Sequence, residues 1–121
     1  TPILKRQKFE LKDIDYWEIN EAFAGQVLAN IAAWKESKYC REHLKLRKIM
    51  GELDQDRLNV DGGGVSLGHP VGASGARIVL HLLHVLKRNQ AKRGMASLCI
   101  GGGQGGAMLV EVEQALEESA E

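Results

Sequence analysis

Apolar residues recur along this chain at two spacings, and the spacings divide it into helices and strands. Phe23, Val27, Ile31 and Trp34 repeat every three or four residues, the period of one helix face, and Ala24 and Leu28 widen the stripe. Gln26 and Asn30 stand on another face, so a helix is predicted over 22–35. A second helix is predicted over 72–88. Its polar positions, Arg77, His81, His84 and Arg88, form a narrow stripe, and Ile78, Val79, Leu80, Leu82, Leu83, Val85 and Leu86 fill the rest. Such a helix is expected to be buried on most sides, packed between sheets or layers.

Shorter runs read as strands. Tyr16, Trp17 and Ile19 give 15–19 strand-forming content, and the apolar runs 95–100 and 107–112 have the length of buried strands. The glycine-rich stretch Gly101 to Gly106 joins the last two, which predicts an antiparallel pair. Residues 1–12 read as a basic, partly ordered lead-in. The segment 35–57 is an excursion rich in positive charge (Lys35, Lys38, Arg41, Lys45, Arg47 and Lys48), with a short surface helix expected near 41–50 that ends at Gly51. The chain closes on an acidic tail with Glu113, Glu117, Glu118 and Glu121. The order strand, helix, loop, helix, strand, strand is that of an α/β domain with a mixed β-sheet packed against helices. With 121 residues and no internal repeat, a single domain over 1–121 is expected.

Composition narrows the function. The formal net charge is zero, which gives no overall field for nucleic acid. No apolar run has membrane-spanning length, and no secretory signal is visible. Cys40 and Cys99 are too few for a disulfide framework, which favours a reduced, cytoplasmic setting. The chain opens on Thr1 in place of methionine, as a piece cut from a longer protein would. Most of the glycines fall in two clusters, 62–75 and 101–106, and so act as local devices. The second cluster matches the dinucleotide string G-x-G-x-x-G and follows a strand. That site needs a helix next, to receive the pyrophosphate, and here a strand-like run follows. The glycines are better read as tight turns, or as bare backbone N–H groups able to receive a developing oxyanion.

Single residues favour plain readings. His81 and His84 lack a neighbouring carboxylate or cysteine on their helix, so a solvent or interface face is expected and no metal site. Cys40 reads as structural. Asn20, at a strand-to-helix junction, has the place of an N-cap. Cys99 is near the end of a predicted buried strand, where a cysteine is usually a small hydrophobe. His69 is held between Gly68 and Pro70 just before a helix, a place where loops commonly carry function.

Taken together and in order, Asn20-Glu21-Ala22-Phe23, Gly68-His69-Pro70 and Cys99-Ile100-Gly101 resemble the three C-terminal motifs of the thiolase family. The flanks agree: Trp17-Glu18-Ile19, Gly72 to Arg77 and the glycine turn after Cys99. The resemblance covers 15–112 and implies a thiolase-like C-terminal half-domain, acting on coenzyme A thioesters with no bound cofactor. It implies that His69 polarises the thioester oxygen and helps activate a nucleophilic cysteine, while Asn20 holds a water that completes that oxyanion hole. It makes Cys99 the acid/base for the α-proton and assigns the Gly101 N–H to a second oxyanion hole. The chemistry suits these residue types: a Claisen reaction passes through an enolate and a tetrahedral oxyanion, both of which need donors fixed in advance.

The nucleophilic cysteine and the CoA-binding loop domain belong, in that family, to an N-terminal domain absent from this sequence. The chain alone is therefore expected to be inactive, to need that domain as partner, and to form a homo-oligomer. A role in fatty-acid β-oxidation fits the family. Asp61 departs from an asparagine common at that place. The excursion over 35–57 resembles the insertion of trifunctional-complex thiolases, whereas the Cys-Ile-Gly-Gly-Gly-Gln ending resembles acetoacetyl-CoA-type enzymes. A non-catalytic interaction module of the same fold is the alternative, against which the intact set Asn20, His69 and Cys99 argues. Ketoacyl synthases use paired histidines, and sterol-carrier-type thiolases begin the first motif with histidine; Asn20 disfavours both.

Overall fold

The computed structural model describes residues 1–113. Three strands form one mixed sheet in the order β1 (Tyr16–Ile19), β2 (Arg93–Gly101), β3 (Gln104–Glu111). β1 and β2 run parallel, with Ile19 opposite Ser97. Their register is pinned at the start, where the Asp15 carboxylate accepts the Lys92 and Arg93 N–H groups at 2.9 Å each. A parallel pair needs a long crossover. Here it holds four helices: α2 (Ala24–Lys35), α3 (Ser37–Glu42), α4 (Gly64–Leu67) and α5 (Ser74–Arg88).

β2 and β3 form the expected antiparallel hairpin, with Gly101 paired to Gln104 across a two-residue turn. Gly102 and Gly103 have φ of 58° and 75°. Two consecutive left-handed residues give the turn whose twist matches a hairpin, and glycine adopts both positions without strain. β3 thus starts earlier than the sequence pattern suggests, and the glycine stretch is strand and turn, not a phosphate loop.

Alternation along β1 sends side chains to both faces of the sheet. Trp17 and Ile19 join Met95, Val27 and Ile31 of α2, and Leu4 of a further helix, α1 (Pro2–Gln7), in one buried cluster. On the opposite face, Ile78, Leu82 and Leu86 of α5 pack on Ala96, with Tyr16, Leu98 and Val110 at the margin. The sheet is therefore a middle layer between α1/α2 and α5. Each fully buried leucine of this kind contributes about 2 kcal/mol.

Four expectations need correction. The lead-in contains α1, which opens with Pro2 where a missing N–H costs nothing. The excursion's helix is α3, earlier than 41–50, because the Glu36 carboxylate accepts the Lys38 and Tyr39 N–H groups and restarts the helix directly after α2. Phe23 and Leu28 are exposed; of the predicted stripe, Val27 and Ile31 are buried and Trp34 half-buried. Finally, among the described residues α5 is covered on one face: Leu80 and Leu83 are exposed, because those residues form a single sheet for this helix. Of the acidic tail, Glu117, Glu118 and Glu121 lie outside the described residues.

Candidate active site

The C-terminal ends of parallel strands share one edge of the sheet, and that edge gathers the motif residues. Asn20 follows β1 directly, and its N–H donates to Ser97 O at 2.9 Å. It does not cap α2, whose first residue is Ala24. Its side chain is buried, 8% exposed, and neither Oδ1 nor Nδ2 meets a partner among the described residues. A buried polar atom left unpaired costs about 1–3 kcal/mol, so an amide with both ends free marks a place kept for something other than folding.

Cys99 is two residues past Ser97 on β2. The strand is buried over Gly94 to Ala96 and emerges at its end, so Cys99 is exposed and not the small core residue that its surroundings suggested. A bulge separates Cys99 from Gly101, which has a φ of 89°.

His69 is held by the first turns of α5. Its Nδ1 is 2.6 Å from Ser74 Oγ, and Ser74 is fully buried. With Nδ1 engaged, Nε2 is the ring nitrogen available for chemistry. Arg77 Nη2 donates to the carbonyl of Gly68 at 2.9 Å and anchors the chain on the other side of the histidine. The first turn of α5 in turn touches β2 beside Cys99: a Cβ at Gly75 would stand 3.6 Å from Leu98 Cδ1. α4 closes the other side, with Gly64 seated against the Glu21 backbone and 3.7 Å from Asn20 Oδ1 at its Cβ position. Asn20, Cys99 and the His69 loop therefore share one rim. Two grooves lie elsewhere, one of about 420 Å³ between α1 and β3 and another along 52–56.

Behind the rim lies a charge cluster that the sequence did not reveal. Glu18 is on the same face of β1 as Asn20 and points at α5, 4% exposed. His81 Nε2 stands 3.8 Å from its Oε1 and 2.8 Å from Asp61 Oδ2. Arg88 donates to both Asp61 oxygens at 3.1 and 2.9 Å. Burial, reinforced by the charges of Asp61 and Glu21 against Arg77, pushes the Glu18 carboxyl up to about 7. The Arg88 hydrogen bonds, with His81 adding to them, hold Asp61 below the usual carboxylate range. Asp61 thus has basic partners on α5, and His81 is part of this cluster in place of a solvent face. Among the described residues, no group of three or more His, Cys, Asp or Glu could hold a metal, and no helix is long and apolar enough to cross a membrane. Ser74 was also missed; a serine opening a helix reads as a local cap until His69 is seen beside it.

The chain matches the family described as thiolase, C-terminal domain, over residues 1–112. It is 44% identical over 114 residues to a 3-ketoacyl-CoA thiolase of Shewanella halifaxensis, covering 93% of this chain and 26% of the relative. It is 42% identical over 109 residues to a probable 3-ketoacyl-CoA thiolase of Caenorhabditis elegans, covering 90% and 24%. Among solved structures, it is similar to the acetyl-CoA acetyltransferases of Syntrophomonas wolfei (TM-score 0.72, 40% identity, 91% of this chain and 25% of that one) and Bacillus anthracis (TM-score 0.67, 42% identity, 89% and 23%). The chain therefore spans about a quarter of the length of these relatives. With a fold, an ordered set of motifs and a match over almost its whole length in agreement, the chain belongs to the thiolase family, as a C-terminal domain.

Proposed function

We propose that this domain supplies the acid/base and the oxyanion-binding groups for making or cleaving the carbon–carbon bond of a 3-ketoacyl-CoA. The reading rests chiefly on one observation: the buried, unpartnered amide of Asn20 stands on the rim that also carries His69 and Cys99. The names of the relatives, 3-ketoacyl-CoA thiolase and acetyl-CoA acetyltransferase, point to the same substrates.

In the synthetic direction, the acetyl group of one acetyl-CoA passes to a cysteine nucleophile and the CoA thiol leaves. Cys99, as thiolate, takes the α-proton of a second acetyl-CoA. The resulting enolate carbon attacks the cysteine thioester, the carbonyl oxygen gains the charge, and collapse of the tetrahedral state releases the cysteine. His69 Nε2 and a water held by Asn20 receive the charge on the thioester oxygen of the enolate. The N–H of Gly101 receives the charge on the tetrahedral oxygen, with the nucleophile's own N–H as its partner. Each such donor contributes about 3 kcal/mol to the transition state. Thiolysis runs the same steps backwards, with Cys99 protonating the departing enolate.

The nucleophile and the CoA site come from a thiolase N-terminal domain, on the same chain or a second one. The bare side of α5, with Leu80 and Leu83, is a surface that such a domain would cover. In this reading the 121-residue chain alone is inactive, needs no bound cofactor, works in the cytoplasm as part of a homo-oligomer, and serves fatty-acid β-oxidation. The test is Cys99→Ala in the assembled enzyme. Thiolysis is expected to be nearly abolished, while the nucleophilic cysteine still acquires an acyl group visible by intact mass. Normal turnover by the variant would remove Cys99 from the acid/base role.

A further inference from the structure

The catalytic rim depends on two donors, Asn20 and His69, that sit on different parts of the chain. Asn20 ends a strand; His69 follows a one-turn helix more than forty residues later. Two side chains, Asn59 and Glu21, tie those parts together.

Asn59 lies along the free edge of β1. Its N–H donates to Trp17 O at 2.9 Å, as a neighbouring strand would. Its carboxamide then takes over the pairing. Oδ1 accepts the Ile19 N–H at 2.9 Å, and Nδ2 donates to the Ile19 carbonyl at 2.9 Å. Both outward groups of the residue preceding Asn20 are thus satisfied by one planar amide. The other edge of the strand end is held by the Asn20 N–H on Ser97 O, so the backbone at Asn20 is gripped from both sides. Asn59 has a φ of 46°, a left-handed conformation that asparagine tolerates better than most residues, and this lets the chain turn away while the side chain stays on the strand.

The second hydrogen of Nδ2 goes to Glu21 Oε2 at 3.1 Å. Glu21 Oε1 accepts the N–H of Val65, in the first turn of α4, at 3.4 Å. The carboxylate lies flat on the glycines that open this helix. A Cβ at Gly63 would stand 2.5 Å from Glu21 Oε1, and one at Gly64 would stand 2.7 Å from the Glu21 carbonyl oxygen. At Gly64 the obstacle is backbone and nothing larger than glycine fits, so α4 is seated at a set depth on the strand end. α4 then leads through Gly68 to His69.

We propose that Asn59 and Glu21 are positioning residues, forming a bracket that sets the spacing between Asn20 and the α4–His69 segment so that both donors address one oxygen. The inference rests on the catalytic reading given above. Neither side chain touches substrate; each acts through the donors it places. Displacement of a catalytic group by about 1 Å can cost roughly 100-fold in rate, whereas substrate affinity, set mostly by other surfaces, is spared.

The experiment compares wild type, Asn59→Ala, Asn59→Asp, Glu21→Gln and Cys99→Ala in the enzyme assembled with its N-terminal thiolase domain. Acetoacetyl-CoA thiolysis is measured well below the melting temperature of each variant, and kcat is expressed per folded molecule. Asn59→Ala is expected to lower kcat about 10- to 100-fold with KM changed less than about threefold. Asn59→Asp keeps the acceptor for the Ile19 N–H but loses the donor to the Ile19 carbonyl and sets a charge against Glu21, and is expected to be at least as slow. Adding Glu21→Gln to Asn59→Asp restores a donor–acceptor pair with reversed roles, and part of the rate should return. If Asn59→Ala does not fold, Glu21→Gln alone, which keeps one acceptor, carries the test with an expected kcat loss of about 3- to 10-fold. A kcat per folded molecule within twofold of wild type, or a loss carried wholly by KM, overturns the bracket. An enzyme active and sensitive to Cys99→Ala but indifferent at Asn59 sinks the bracket alone. Insensitivity to Cys99→Ala sinks the catalytic reading with it.

Discussion

Replacing Glu18 by glutamine should remove a pH dependence of stability that this one side chain creates. Its carboxyl is pushed from 4.5 to about 7 in the fold, chiefly by burial, with Asp61 and Glu21 adding to it. Between these values the folded state holds a proton that the unfolded chain has lost. Stability linked to Glu18 is therefore full below about pH 4.5, falls as pH rises through that window, and is flat above about 7. At about 1.4 kcal/mol per pH unit, the fall amounts to roughly 3 kcal/mol. Urea unfolding of wild type and Glu18→Gln, followed by circular dichroism from pH 4 to 8, isolates it. The wild type should lose about 3 kcal/mol relative to the variant across that range. Titrating groups remote from Glu18 cancel in the difference, and a constant offset from burying an amide does not alter the slope. Asp61→Asn removes one of the charges that raise the carboxyl in the fold, so in that background the fall should still begin near pH 4.5 but end at lower pH and be smaller. A wild-type-minus-variant difference that is flat with pH would refute the argument. It would mean that the Glu18 carboxyl titrates in the fold as it does in the unfolded chain.

Two further outcomes follow from contacts in the structure. Ser74→Ala removes the buried hydroxyl that holds His69 Nδ1, and kcat of the assembled enzyme should fall by about 10- to 100-fold, read by steady-state thiolysis. Gly94→Ala would put a Cβ 2.7–2.9 Å from three atoms of the fully buried Leu82. That should cost about 1–3 kcal/mol in urea unfolding, whereas Gly72→Ala, with open space around it, should be close to neutral by the same measure.

Local patterning decided a good part of this protein. The apolar run from Ile78 to Leu86 set the span of α5, and the glycines after Cys99 set a hairpin, because helical period and left-handed φ are properties of a few consecutive residues. The motifs around Asn20, His69 and Cys99 were legible as a resemblance, since their order survives in one dimension. What the chain could not show locally was which residues meet across long separations. Asn20 has the position of a helix cap, yet α2 starts later and leaves the amide buried and unpaired. Nothing local to Glu18 shows that its face of the strand is covered; α5, laid over that face, removes its water. Nothing around Asn59 in the sequence marks it, yet its amide completes the edge of a strand forty residues earlier. Burial and long-range pairing are set by how the layers stack, and the same stacking decides which polar groups are satisfied and which are left for chemistry.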